Sequence, residues 1–216
     1  MEAMKSTWAK SSRTSHLNNL VHENICEALW LTRHIEGDYV EIGVYLGGSA
    51  LTAINFLDQL RINTTHSMPR KAWLLDTYDG FNYETASSSS DVIWAGTHKL
   101  MGVEKTVEYI SETLSGSLTD FELAPNNICI DKLPVEISKI AVANIDVDMY
   151  EPVLAALNAV SSHMQIGGII ICEDAASTPA LYGSLLAMKQ FLSSAQGQSY
   201  LEIFKGGQYF LLKMTD

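Results

Sequence analysis

The chain has 216 residues, 47% hydrophobic and 18% charged, which suits one domain with a sizeable core. Asp and Glu number 25 against 14 Lys and Arg, a formal net charge of −11. A surface this acidic repels phosphate backbones and argues against nucleic acid as a partner, and no apolar run reaches the length of a membrane span.

The first residues, MEAMKSTWAKSSRTSHL, are polar and lack the apolar stretch of a signal peptide. Leu17 to His34 then places Leu20, Ile25, Leu29 and Leu31 at helical spacing. This predicts one or two helices before the main sheet: a helical extension over residues 1–36 ahead of a core over 37–216. The exposed faces of such helices offer a way for subunits to pair into a homo-oligomer.

Asp38 to Val44 is the first strand and Gly47 to Leu60 the helix after it. KAWLLDTY, Lys71 to Tyr78, is a buried strand ending in acid. Phe81 to Leu100 is polar, with four serines from Ser87 to Ser90, and reads as a loop. Val103 to Leu114 is a helix, NNICI (126–130) a short strand and KIAVANIDVD (139–148) another. A helix follows from Pro152 to Val160; proline suits its first turn because the missing N–H would be unpaired there anyway. GGIIICED (167–174) is another acid-ended strand, and Ala180 to Ser193 a helix. LEIFKGGQYFLLKM closes the chain as a hairpin turning at Gly206-Gly207. Strands alternating with helices imply an α/β, Rossmann-like, doubly wound and mostly parallel seven-stranded sheet, to which the hairpin adds an antiparallel strand. The three scattered cysteines, Cys26, Cys129 and Cys172, form no C-x-x-C pair. They read as small buried residues, reduced as in a cytoplasm.

In such a sheet ligands bind beyond the carboxyl ends of the strands. Here those ends carry Gly43, Asp76, Asp146 with Asp148, and Glu173 with Asp174. Singly, each acid has a structural explanation: Asp148 would cap the helix starting near Tyr150, and Asp79-Gly80 is a turn pair. Together, Asp146, Asp148, Glu173 and Asp174 crowd one rim if their strands are neighbours. Like charges that close raise one another's pKa or recruit a cation. An all-oxygen set suits Mg²⁺, Mn²⁺ or Ca²⁺, and the lack of Cys or His pairs argues against structural zinc.

The first turn, G-x-x-x-G-G over Gly43, Gly47 and Gly48, is neither a dinucleotide fingerprint nor a phosphate loop, and no lysine follows it. Its glycines allow close approach, and a helix N-terminus offers N–H groups to an anion. A small carboxylate or a single nucleoside fits better than a pyrophosphate. Asp76 lies where an acid at the second strand end binds ribose hydroxyls.

Four segments occur in order at fitting intervals: EGDYVEIGVYLGGSA, LLDTYDGF, ANIDVDMYEPVLAAL and GGIIICEDAA. From Glu36 onward the chain resembles the macrocin O-methyltransferase family, class I enzymes that use S-adenosylmethionine. The resemblance implies that Glu41, Gly43, Tyr45, Gly47, Gly48 and Ser49 hold the methionine part of the cofactor, with Ser49 and the helix start facing its carboxylate. It implies ribose binding by Asp76 beside Thr77. It places Asp131 of IDKLP near the adenine, with Lys132 where the family usually has threonine. It implies Mg²⁺ on Asp146, Glu173 and Asp174, with Asp146 also at the cofactor, and Asp148 as the base. The acceptor is then a hydroxyl on a small molecule, a sugar or a natural-product glycoside. The competing readings are a nucleotide-sugar or nicotinamide enzyme on a similar sheet, a metal-independent N- or C-methyltransferase, and a non-catalytic scaffold. His98 and His163 read as solvated or structural. Trp94 and Tyr83, in the serine-rich loop, read as a cover over the substrate or as surface aromatics.

Overall fold

Strands buried on both faces need near-continuous apolar runs, and the centre of this chain supplies them. A computed structural model describes residues 17–65, 67–81, 87–88, 91–177 and 182–216. Its elements are α1 (Asn19–Leu31), β1 (Asp38–Ile42), α2 (Gly48–Asn63), β2 (Ala72–Asp76), α3 (Val103–Thr113), β3 (Phe121–Pro125), β4 (Ile140–Ile145), α4 (Tyr150–Ser161), β5 (Met164–Cys172), α5 (Asp174–Ser177), α6 (Tyr182–Leu192), β6 (Tyr200–Lys205) and β7 (Gln208–Lys213). The seven strands form one sheet in the order β3-β2-β1-β4-β5-β7-β6. β7 alone is reversed, antiparallel to both β5 and β6.

Side-chain alternation divides the core between two faces. Val40, Ile42, Leu75, Ala143, Ile145 and Ile170 pack under α4 and α6. Tyr39, Leu74, Val142, Ile169, Ile171 and Phe210 pack under α1, α2 and Ile110 of α3. The segment before the sheet is a single described helix, opened by Asn18, whose side chain accepts from Leu20 and Val21 N–H at 2.9 and 3.3 Å. Among the described residues no helix is long and apolar enough to cross a membrane. Cys26 and Cys172 are buried, and burial pushes both thiols up to about 12, so neither is a nucleophile at neutral pH.

Two expectations change. NNICI is not a strand; the third strand is FELAP, five residues earlier, at the sheet edge. Asn127 Oδ1 accepts from Cys129 N–H at 3.1 Å, and Asp131 Oδ2 accepts from Asn127 N–H at 2.8 Å. Local side-chain bonds of this kind compete with a ladder and turn the chain. Asp148 does not cap α4: Met149 holds the N-cap position without a side-chain bond, and Tyr150 N–H donates to the distant Asp91. Tyr83 and the expected start of the helix at Ala180 lie outside the described residues.

Candidate active site

Register builds the rim. Ile42 pairs with Leu75 and with Ile145, and Ile145 pairs with Cys172. The next residues on these four adjacent strands are therefore Gly43, Asp76, Asp146 and Glu173. The last ladder bonds run Gly43 N–H to Leu75 O at 2.9 Å, Asp146 N–H to Ile42 O at 2.9 Å and Glu173 N–H to Ile145 O at 3.1 Å. The sheet order reverses between β1 and β4, and a cleft of about 380 Å³ opens there, at the switch point where such sheets bind ligands.

Gly43 sits at the switch with φ at 93°, and a Cβ there would stand 1.8 Å from the carbonyl oxygen of Asp146. Glycine alone lets β1 leave the sheet so close to β4. Gly47, in the left-handed region, then starts α2. Gly43, Tyr45, Gly48 and Ser49 line the cleft; Gly47 and Glu41 do not.

Glu41 lies beneath, with no exposed surface. Its carboxyl accepts from the Tyr39 hydroxyl and from Ser49 Oγ at 2.7 Å, so it orients a residue that does face the cleft. Burial outweighs those two donors and raises its pKa from 4.5 to about 7. Folding thus takes up a proton at intermediate pH. The stabilisation is complete below about 4.5 and is lost as pH rises through 7, a change of about 3 kcal/mol. Melting temperature should fall between pH 5 and 8 in the wild type and fall less in Glu41→Gln; parallel profiles would refute the assignment.

Asp76 has a structural task as well as a place at the rim. Its Oδ2 accepts from Val44 and Tyr45 N–H at 2.6 and 2.9 Å, and its Oδ1 from Tyr78 N–H at 2.7 Å. One carboxylate thereby fixes the glycine turn to the end of β2. Thr77 beside it lines the cleft and donates to Gly80 O at 3.1 Å.

Across the rim, Asp146, Asp148 and Asp174 each offer a carboxylate oxygen, and all three oxygens lie within 4.8 Å of one another. Burial first, then repulsion from Glu173, Asp174 and Asp148, pushes the Asp146 carboxyl well above the carboxylate range. Burial and Asp174 do the same to Asp148, which shares a hydrogen bond with Asp174. Asp148, with φ at 58°, joins this converging set, whereas Glu173 lies buried next to it and outside it. Asp131 is exposed and outside the cleft lining; Asn126, Asn127 and Ile128 line that end instead. The polar pair after β3 is the signal in the sequence that points to them.

The serine-rich loop supplies a wall. Phe81 N–H donates to Thr97 O and Gly96 N–H to Phe81 O, clasping the loop at its base. His98 packs against Phe81, Tyr45 and Trp94 with ring centroids 4.7, 5.8 and 6.3 Å away. Thr97 Oγ1 donates to Trp94 O at 2.7 Å, and His98 Nδ1 lies 2.9 Å from the same hydroxyl. His163, by contrast, sits in the turn before β5, at the opposite end of the sheet.

This strand order, with a glycine turn at the switch point and acids on the facing rim, is a Rossmann-like architecture with its ligand cleft at the switch point. The O-methyltransferase NovP matches it with a TM-score of 0.72 at 18% identity, over 94% of this chain and 83% of that one. CalS11, a calicheamicin methyltransferase, gives 0.69 at 16% over 100% and 92%. The SAH-bound methyltransferase PaMTH1 of Podospora anserina gives 0.59 at 11% over 100% and 89%. At these identities the likeness is one of fold. The chain belongs to the macrocin O-methyltransferase (TylF) family, whose model matches residues 6–199. No curated protein sequence matches it.

Proposed function

We propose that the protein methylates a hydroxyl of a small molecule, a sugar or natural-product glycoside, with Mg²⁺ held by the acid cluster. The observation that carries the metal part is the convergence of Asp146, Asp148 and Asp174. Opposite oxygens on Mg²⁺ or Ca²⁺ stand about 4–5 Å apart, so three oxygens within 4.8 Å of one another are close enough to share one hard cation. A cation there would offset the repulsion that opposes ionisation of Asp146 and Asp148.

When bound, S-adenosylmethionine supplies an electrophilic methyl carbon, and the cation lowers the pKa of a coordinated hydroxyl. The chain does the rest by orientation. Ser49 and the start of α2 face the cofactor carboxylate, Asp76 holds the turn in place beside Thr77, and Asn126 to Ile128 line the far end. Asp148, two residues before α4, takes the hydroxyl proton from an acceptor seated beside the cluster. The wall of Tyr45, Phe81, Trp94 and His98 excludes water. This layout supports the assignment of Asp148 over His98 as base, because only Asp148 belongs to the converging set.

The test is S-adenosylhomocysteine release over a panel of sugars and glycosides, starting with TDP-rhamnose, the substrate named for CalS11. Turnover should stop in EDTA and return with Mg²⁺. Turnover unchanged in chelator would remove the metal and favour a metal-independent transfer.

A further inference from the structure

Asp91 belongs to no recognisable motif and lies in the serine-rich loop, yet it is only 1% exposed. Its carboxylate stands between two helix starts. Oδ2 accepts from Tyr150 N–H of α4 at 3.0 Å, and Oδ1 from Gly183 N–H of α6 at 3.3 Å. First-turn N–H groups have no partner within their own helix, and the N-cap of α4, Met149, has no side-chain bond to offer. The seat is tight: a Cβ on Gly183 would stand 1.7 Å from Asp91 Oδ2. Trp94 N–H also donates to Asp91 O at 2.9 Å, so the same residue starts the turn that carries the aromatic wall.

The two helices follow the two acid-bearing strand ends. α4 begins two residues after Asp148, and α6 is the helix after the short α5 that Asp174 opens. Asp148 and Asp174 lie beyond the last ladder bond between β4 and β5, on separate turns, so strand pairing does not reach them. Resting on the metal reading above, we propose that Asp91 is a positioning residue for the acid cluster. By binding both helix starts it sets the distance between the turn of Asp146 and Asp148 and the segment of Glu173 and Asp174.

Asp58 provides the control. It is a buried carboxylate with a similar task at the other end of the sheet, accepting from Leu118 and Thr119 N–H at 3.0 and 2.8 Å. Mn²⁺ and S-adenosylhomocysteine binding are measured by calorimetry on the wild type, Asp91→Ala, Asp91→Asn and Asp58→Asn. Displacing a residue that orients ligands typically costs about 10-fold or more in metal affinity. Asp91→Ala should weaken Mn²⁺ by at least that factor while S-adenosylhomocysteine binding stays within roughly threefold. Asp91→Asn keeps one carbonyl acceptor and should fall between; it carries the comparison if Asp91→Ala does not fold. Asp58→Asn should lose stability but bind Mn²⁺ as the wild type does. Unchanged Mn²⁺ affinity in both Asp91 variants overturns the proposal, as does an equal loss in Asp58→Asn. A wild type that binds no Mn²⁺ overturns the metal reading and this proposal together, and is seen before any variant is made.

Discussion

Replacing Asp146 with Asn should lower turnover about 100-fold or more and at the same time raise the melting temperature of the metal-free protein. The two directions have one cause. Asp146 stands among Glu173, Asp174 and Asp148 at the base of the cleft, where burial and repulsion disfavour its charged form in the absence of a cation. A neutral amide relieves that cost, as removal of a strained functional group often does. The same change takes one of three converging oxygens from the cation. About 3 kcal/mol of lost transition-state stabilisation corresponds to about 100-fold in rate. The measurements are kcat with saturating Mg²⁺ on an accepted sugar, and a thermal melt in EDTA. A structural acid would behave otherwise: its removal would lower the melting temperature and leave kcat alone.

Gly43→Ala should damage the fold more than any other single methyl added at the rim. The new Cβ would meet the Asp146 carbonyl oxygen at 1.8 Å and the Asp146 carbonyl carbon at 2.5 Å, both main-chain atoms that cannot rotate away. Backbone strain at φ 93° adds to the clash. Each contributes roughly 1–3 kcal/mol, and together they should lower the melting temperature by about 5–20 °C. Gly116→Ala isolates the strain, since Gly116 has φ at 83° and nothing within 4 Å of an added Cβ. If Gly43→Ala melts with Gly116→Ala, β1 and β4 do not close on each other as described. Where Gly43→Ala does fold, it should bind Mn²⁺ poorly, because the displaced atoms belong to Asp146.

The central strands were legible because both of their faces are covered. Val40, Leu74, Val142 and Ile170 had to be apolar whichever way they pointed, so runs such as WLLD and IIIC stand out from a chain that is otherwise mixed. The edge strand β3 was not legible, since FELAP is partly exposed and carries the alternation of a surface. The apolar residues of NNICI attracted the assignment instead, although its asparagines bond locally and form a turn. Helix ends were placed to within a few residues; α2 continues to Asn63 rather than ending at Leu60.

Within the site, the glycine turn and the acids could be read individually because each follows a strand. Asp91 could not. Its bonds span 59 and 92 residues, and nothing local marks a loop aspartate as buried. His98 was read as a lone histidine, and only packing against Phe81, Tyr45 and Trp94 makes it part of the wall. Asp131 drew attention as part of a motif, yet its carboxylate turns back to Asn127.

Local patterning therefore determined the kinds of element, the acidic strand ends and the glycine turn, because burial and helix-start chemistry act over a few residues. The tertiary structure decided which strand ends meet. The order β3-β2-β1-β4-β5-β7-β6 and its register are set by pairing and packing across the whole chain. Only that register brings Asp146, Asp148 and Asp174 together opposite Gly43 and Asp76, and the left-handed backbone at Asp148 goes with its place in the cluster, with Glu173 beside it.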